Sequence, residues 1–403
     1  MRDDHNTQRR LQPDAAPVAA PAPRHSPRAG SARRAQRRRR GQLIMLAAVF
    51  TLSVLPALTT KLKTHATSEV EQRKLAELPT SWEGPWHALD KNYARFEHWF
   101  ADSVGMRNEM IRFKNELDYR LFRSSSRVYF GTNGELFNRH HTDDELPATE
   151  AITSTPRQRS EMLQGLTSYA RKLKEQGVTM VLVPAVAKHY YVGDRLPWHA
   201  PRLPQPSNFM QFYSELLKIP ELNTIDVDGI QRAHEREFPI YFRQDFHWTD
   251  VTAMTVAAGV VERIAQLEGS PLRWKHERKF AYLPFVGSEA RFATRLRTNE
   301  TLEPHLTKTW TDRERHEKDA AATGLEFDTD MVNDPGLLPS TCVFGNSFSD
   351  GMLRAGLPEH FQQFTKISRN LSLTALPALA ESSHCKYLVV QILDTQGGLW
   401  LLR

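Results

Sequence analysis

The sequence predicts an α/β fold, a parallel sheet flanked by helices. Three apolar runs of strand length point to it: Val178–Pro184 (VTMVLVP), Ser340–Phe344 (STCVF) and Lys386–Leu393 (KYLVVQIL). Such continuous runs suit strands covered on both faces. Helical segments separate them, and strands alternating with helices imply parallel pairing through crossovers.

The chain has 403 residues, enough for about two or three domain-sized units. Two cysteines exclude a disulfide-rich scaffold and a four-cysteine zinc site. Residues 1–40 carry 11 Arg and 3 Asp, a net +8, and the remaining 42 basic and 44 acidic residues net −2. The excess charge sits in a tail, so no nucleic-acid-binding domain is expected.

Residues 1–41 are rich in Arg, Ala, Pro and Ser and read as a disordered, basic cytoplasmic tail. Residues 42–60 read as a transmembrane signal anchor. Leu43–Leu58 has no charged residue and would span about 24 Å as a helix, somewhat short of a hydrocarbon core of roughly 30 Å. Arg37–Arg40 just before it predict a cytoplasmic N-terminus, with all that follows Lys61 outside the cytoplasm. The rival is a cleaved signal peptide, for which small residues near Ala57, Thr59 and Ala66 offer no good Ala-x-Ala site.

Residues 61–125 read as a linker and helical entry segment, and 126–403 as the extracytoplasmic domain. From His87 to Arg123, Phe96, Trp99, Phe100, Val104, Met110, Phe113, Leu117, Leu121 and Phe122 recur at mostly helical spacing and are expected to be core. Arg127–Phe137 reads as a hairpin turning at Gly131–Gly134, and His140–Pro156 as a loop. Residues 157–176 form an amphipathic helix that stops at Gly177. Phe209–Leu217 is helical, and Thr224–Val227 is a short strand. A helix from Asp250 to Leu267 takes Thr249 as its N-cap. Residues 270–338 are charged and irregular and read as an insertion or a substrate-facing region. Phe364–Ile367 is a further strand. There is no internal repeat.

Two segments carry chemistry. Asp245-Phe246-His247-Trp248-Thr249 follows the extended Ile240–Phe242. In extended chain, residues i and i+2 share a side, so Asp245 and His247 can face one site. A carboxylate beside an imidazole fixes its tautomer and stabilises the imidazolium. Gly345-Asn346-Ser347-Phe348-Ser349 follows a buried strand. Ser347 then lies on the edge where open α/β sheets place ligands. A helix starting just after it would offer free N–H groups to an oxyanion. The chain thus holds a possible Asp245–His247–Ser347 set. Either segment alone is also compatible with a structural hydrogen-bonding pair or a plain turn.

At these residues the sequence resembles the AlgX/AlgJ-type alginate O-acetyltransferases, a branch of the SGNH hydrolases. The resemblance also rests on Glu71–Pro79 (EQRKLAELP), Asp102–Arg107 (DSVGMR), Val128–Phe137 (VYFGTNGELF), and Val183-Pro184 with nearby Lys188, leading to Arg195-Leu196-Pro197. Asn346 stands where the common Gly-Asp-Ser form has Asp. The resemblance implies an SGNH hydrolase-like three-layer sandwich with a circularly permuted sheet, which would put Asp and His ahead of Ser. It implies Ser347 as nucleophile, His247 as general base and then acid, and Asp245 as the residue orienting His247. Ser347 and Asn370 are the oxyanion residues it suggests, though Asn370 also reads as a turn former. The triad needs no cofactor and no metal.

The function implied is a membrane-anchored polysaccharide O-acetyltransferase in exopolysaccharide biosynthesis, with an acetyl group held on Ser347 and passed to a sugar hydroxyl. The implied partners are a polysaccharide acceptor and a membrane-bound O-acyltransferase (MBOAT-type) donor. The implied place is a bacterial inner membrane, with the domain in the periplasm. A carbohydrate acetyl esterase with the same triad is an alternative, as is a non-catalytic glycan-binding scaffold.

Among other residues, the cluster His140, His141, Asp143, Asp144 and Glu145 reads as a polar loop rather than a metal site. Trp248 reads as core packing. Outside the cytoplasm Cys342 and Cys385 could pair, but they read as buried free thiols, since strand-borne side chains meet disulfide geometry only in particular registers.

Overall fold

The computed structural model describes residues 28–59, 67–68, 73–81, 84 and 89–402. It divides into two compact units. The smaller holds residues up to Thr64 and Leu78–Arg107, and the larger holds His65–Glu77 and Asn108–Arg403.

The smaller unit contains helices α1 (Arg28–Thr59) and α2 (Leu89–Ser103). Residues 1–27 of the expected tail lie outside the described residues, while 28–41 are helical rather than disordered. The expected membrane anchor is not supported. Among the described residues no helix is long and apolar enough to cross a membrane. The uncharged run is short of a hydrocarbon core, and the helix ahead of it carries Arg37–Arg40.

In the larger unit, β1 (Thr67–Ser68) and β2 (Arg73–Lys74) form a short antiparallel ladder. Helix α3 (Arg107–Phe122) follows. The single helical pattern expected over 87–123 is thus two helices, with Met106 between them in the left-handed region at φ 58°. His87 lies outside the described residues. Phe96 and Phe100 on α2, and Phe113, Leu121 and Phe122 on α3, are exposed rather than core. Periodicity marks an apolar stripe but not what covers it.

Strands β3 (Val128–Phe130) and β4 (Leu136–Asn138) form the expected hairpin. The stretch expected as a loop after it is helical, a single wide turn at His141–Glu145 leading into α4 (Leu146–Ile152). Helix α5 (Pro156–Glu175) opens with a capping box between Thr155 and Gln158. After β5 (Thr179–Ala185) come α6 (Asn208–Leu216) and α7 (Val227–His234). The strand expected at Thr224–Val227 is absent, because Asp226 caps α7 by accepting the Gly229 N–H. Helix α8 (Asp250–Glu268) takes Thr249 as its N-cap and ends at Gly269 in the left-handed region.

Residues 270–338 are ordered into elements rather than irregular. They hold a hairpin of β6 (Phe280–Phe285) and β7 (Thr301–Leu306), the short helix α9 (Ser288–Phe292), and strands β8 (His316–Glu317) and β9 (Leu325–Asp328). Then come β10 (Thr341–Phe344), α10 (Ser347–Arg354), β11 (Phe364–Ile367), α11 (Leu376–Ser382) and β12 (Tyr387–Leu393).

The main sheet runs β5-β12-β10-β11-β9-β8. The first four strands are parallel, and β9 and β8 add antiparallel, so the sheet is mixed rather than purely parallel. The connection between β8 and β9 is too short for a parallel crossover. Alternate residues build two cores. Val181, Val183, Val343 and Val389 face α8 and α10, while Leu182, Phe344, Leu388 and Val390 face α5, α6 and α11. This is a helix–sheet–helix sandwich.

Cys342 and Cys385 form a disulfide rather than two free thiols, with Cα atoms 5.7 Å apart. Cys385 stands in the turn before β12, so strand register does not restrict its side chain.

Candidate active site

Strand β10 lies inside the sheet, between β12 and β11, and Ser347 opens α10 just beyond its carboxyl end. Asn346 caps that helix by accepting the Phe348 N–H at 2.9 Å. The turn depends on Gly345. A Cβ there would stand 2.8 Å from Gln391 Cβ and Oε1 and 2.9 Å from Ser349 Cβ. Gln391 on β12 uses that closeness to accept the Asn346 N–H at 3.1 Å.

The Asp245 segment is not a straight extended strand. Tyr241 and Trp248 form an antiparallel bridge, and the chain between them reverses. Asp245 Oδ1 accepts the His247 N–H at 3.0 Å and lies 2.6 Å from His247 Nδ1. A local Asx-type turn, not strand alternation, brings the two side chains together. Across 100 residues of sequence, His247 Nε2 then lies 2.6 Å from Ser347 Oγ. Phe246 and Phe348 flank the imidazole, with ring centroids 3.9 and 5.1 Å away. Trp248 is buried against Phe348.

Asp245 is buried, and burial pushes its carboxyl up. The His247 hydrogen bond and charge, with the Ser288 and His247 N–H groups, outweigh that and hold it at about 2. It is therefore an anion at neutral pH.

One support of Asp245 had no signal in the sequence. Its second oxygen, Oδ2, accepts the Ser288 N–H at 2.8 Å from the start of α9. Gly287 permits this approach, because a Cβ there would fall 1.8 Å from the Gln244 carbonyl oxygen. Beside it, Glu289 is fully buried. Burial and the Asp245 charge raise its carboxyl to about 8.

Lys188 was legible only as part of a resembling element. It is buried, and its Nζ donates to the carbonyls of Leu136, Phe242, Arg243 and Asp245 and pairs with Glu135 at 3.0 Å. One ammonium thus ties the Asp245 turn to the β3–β4 hairpin. Asn370 is exposed beyond β11, and its backbone N–H lies 3.5 Å from Ser368 Oγ. Among the described residues no hydrogen bond joins it to Ser347.

The structure therefore brings Asp245, His247 and Ser347 into one hydrogen-bonded line and leaves Asn370 out of it. Such a line can take the proton from a hydroxyl as it attacks an acyl carbon.

A family model described as the SGNH hydrolase-like domain of acetyltransferase AlgX matches residues 128–384. The chain belongs to this family. It is an acetyltransferase of the SGNH type. Among solved structures, the O-acetyltransferase domain of Pseudomonas putida AlgJ is similar at 14% identity, over 68% of this chain and 92% of that one, with a TM-score of 0.44. Bacillus cereus PatB1 is similar at 15% identity, over 60% of this chain and 91% of that one, with a TM-score of 0.42. Pseudomonas aeruginosa AlgX is similar at 16% identity, over 68% of this chain and 64% of that one, with a TM-score of 0.38. No curated protein matches this SGNH-type chain.

Proposed function

We propose that this chain moves an acetyl group to a polysaccharide hydroxyl through an ester on Ser347. The observation that carries the reading is the pair of 2.6 Å contacts joining Asp245, His247 and Ser347. Asp245 holds the proton on His247 Nδ1, so Nε2 presents its lone pair to the Ser347 hydroxyl. Ser347 Oγ attacks the acetyl carbonyl carbon while its proton passes to His247 Nε2. The tetrahedral oxyanion meets the Ser347 N–H, and its collapse expels the donor alcohol, which takes the proton back from His247. A sugar hydroxyl then repeats the sequence in reverse, freeing Ser347 and leaving the acetyl ester on the glycan.

The same reading places the domain in the periplasm at a bacterial inner membrane, beside an MBOAT-type donor of acetyl groups. The Cys342–Cys385 disulfide supports an oxidising compartment.

The test is intact-protein mass spectrometry after incubation with an activated acetyl ester and an acid quench. One acetyl adduct in the full chain, absent in Ser347→Ala, is expected, and its loss to an added glycan acceptor marks transfer. An adduct that survives Ser347→Ala would sink the reading. Rapid ester loss without an adduct would make water the acceptor and the protein an esterase.

A further inference from the structure

We propose that Lys366, a buried lysine on β11, is a positioning residue that aims the oxyanion donor at Ser347 through Ser349 and the Asn346 carbonyl. The inference rests on the acyl-enzyme reading above and names a part of the machinery that the triad does not include.

The register of β10 and β11 sets Val343 opposite Lys366, so the lysine side chain starts beside the last residues before the nucleophile turn. It is fully buried. Its Nζ donates to the Gly345 carbonyl at 2.7 Å and to Ser349 Oγ at 2.8 Å. Both partners are neutral oxygens of the turn that carries Ser347. Burying an ammonium is costly, and these two bonds offset part of that cost only at this place.

An ammonium donates and cannot accept. Ser349 Oγ therefore receives a bond from Lys366 and must direct its own proton elsewhere. It donates to the Asn346 carbonyl at 2.6 Å, and the Ser349 N–H reaches the same oxygen at 2.9 Å. In a planar trans peptide, the C=O and the following N–H point in opposite directions. Drawing the Asn346 oxygen inward toward Ser349 turns the Ser347 N–H outward, toward the side of the attacked carbonyl.

The neighbouring donors are already taken. The Asn346 N–H goes to Gln391 Oε1 at 3.1 Å, and the Phe348 N–H to Asn346 Oδ1 at 2.9 Å. The first N–H groups of a helix have no partner within it, and among the described residues no capping group takes that of Ser347. With Asn370 outside the hydrogen-bonded line, the aim of this one donor matters more. Lys366 sets it from beneath while touching neither substrate nor His247.

The test follows acylation of the full chain by p-nitrophenyl acetate in wild type, Lys366→Met, Ser349→Ala and the double variant. Each single change should slow acylation about 10- to 100-fold, less than the roughly 10²–10³ lost when an oxyanion donor is removed outright. KM should move by less than about threefold, because the bonds matter to the transition state and not to ester binding. The midpoint of the acid limb of the pH–rate profile should stay at its wild-type value, since Asp245 and His247 are untouched. The double variant should be no slower than the worse single one, because both act through one carbonyl.

Additive losses, a shifted acid limb, or wild-type acylation in Ser349→Ala would overturn the relay. If Lys366→Met does not fold, Ser349→Ala decides alone, since it keeps the lysine and its bond to Gly345. Ser347→Ala runs beside them. Turnover that survives Ser347→Ala rejects the acyl-enzyme itself. Loss there with normal rates in Ser349→Ala rejects only the relay.

Discussion

Asp245 Oδ1 serves His247 twice, lying 2.6 Å from the ring Nδ1 and accepting the backbone N–H of the same residue at 3.0 Å. Ring and main chain are tied to one oxygen, so the position of the imidazole and its tautomer are set together. That oxygen is held in turn, because its carboxylate partner Oδ2 is anchored by the Ser288 N–H.

Asp245→Asn should therefore cost about 10³–10⁴ in acylation rate, as expected when an amide replaces the carboxylate and favours the wrong tautomer. Stopped-flow acylation with an activated ester measures it. A rate within a few-fold of wild type would remove Asp245 from the mechanism.

Gly287→Ala should damage the site without touching a triad residue. The added Cβ would meet the Gln244 carbonyl at 1.8 Å, so the chain ahead of α9 must retreat and the Ser288 N–H must leave Asp245. A destabilisation of about 1–3 kcal/mol is expected, typical of overpacking. Denaturant midpoints and acylation rates should fall together. An unchanged rate would mean that Ser288 does not support Asp245.

Glu289 predicts a pH dependence. Its carboxyl is raised from 4.5 to about 8, so the folded state keeps a proton that the unfolded chain releases. Its contribution to stability is full below pH 4.5 and is lost as pH rises toward about 8. Asp245 acts in the opposite sense. Lowered from 3.8 to about 2, it contributes above pH 3.8 and loses that contribution as pH falls through about 2. Glu289→Gln should flatten the decline between pH 4.5 and 8 and leave the acid side unchanged. Asp394, raised to about 7, should add to the decline up to that pH, while His189 and His360, held by burial at about 3 and about 4, should work against it. Denaturation across pH checks this, and an undiminished slope in the Gln variant would count against a protonated Glu289.

The disulfide closes a loop over a sequence separation of 43. Replacing both cysteines with alanine should cost about 4 kcal/mol through the freed unfolded chain. Unfolding with and without reductant should show the same loss in wild type and none in the double variant. Equal stability of the two oxidised proteins would contradict it.

Much of the parallel core was legible because apolar runs such as Val178–Pro184 and Lys386–Leu393 report burial on both faces without any long-range information. Thr249 was legible as a cap, since its hydroxyl reaches the nearby Thr252 N–H. Asp245 and His247 were legible as a pair, although the reason proved to be a turn rather than strand alternation. The exposed Phe113 and Phe122 were misplaced because an apolar period is the same whether or not another element covers it.

Features spanning a few residues, such as strands, caps and the Asp245–His247 pair, follow from local composition and backbone geometry. The meeting of His247 with Ser347 depends on β10 lying inside the sheet beside β12 and on α8 packing against the helix that Ser347 opens. Ser288, Lys188 and Lys366 become partners of the site for the same reason. Sheet order and packing set their distances, and a hydrogen bond between distant segments leaves no periodic trace in the chain. The Cys342–Cys385 bond, which joins a strand residue to one just ahead of β12, and the antiparallel register of the edge strands from 270–338 were likewise settled by tertiary packing, which local hydrophobic pattern does not encode.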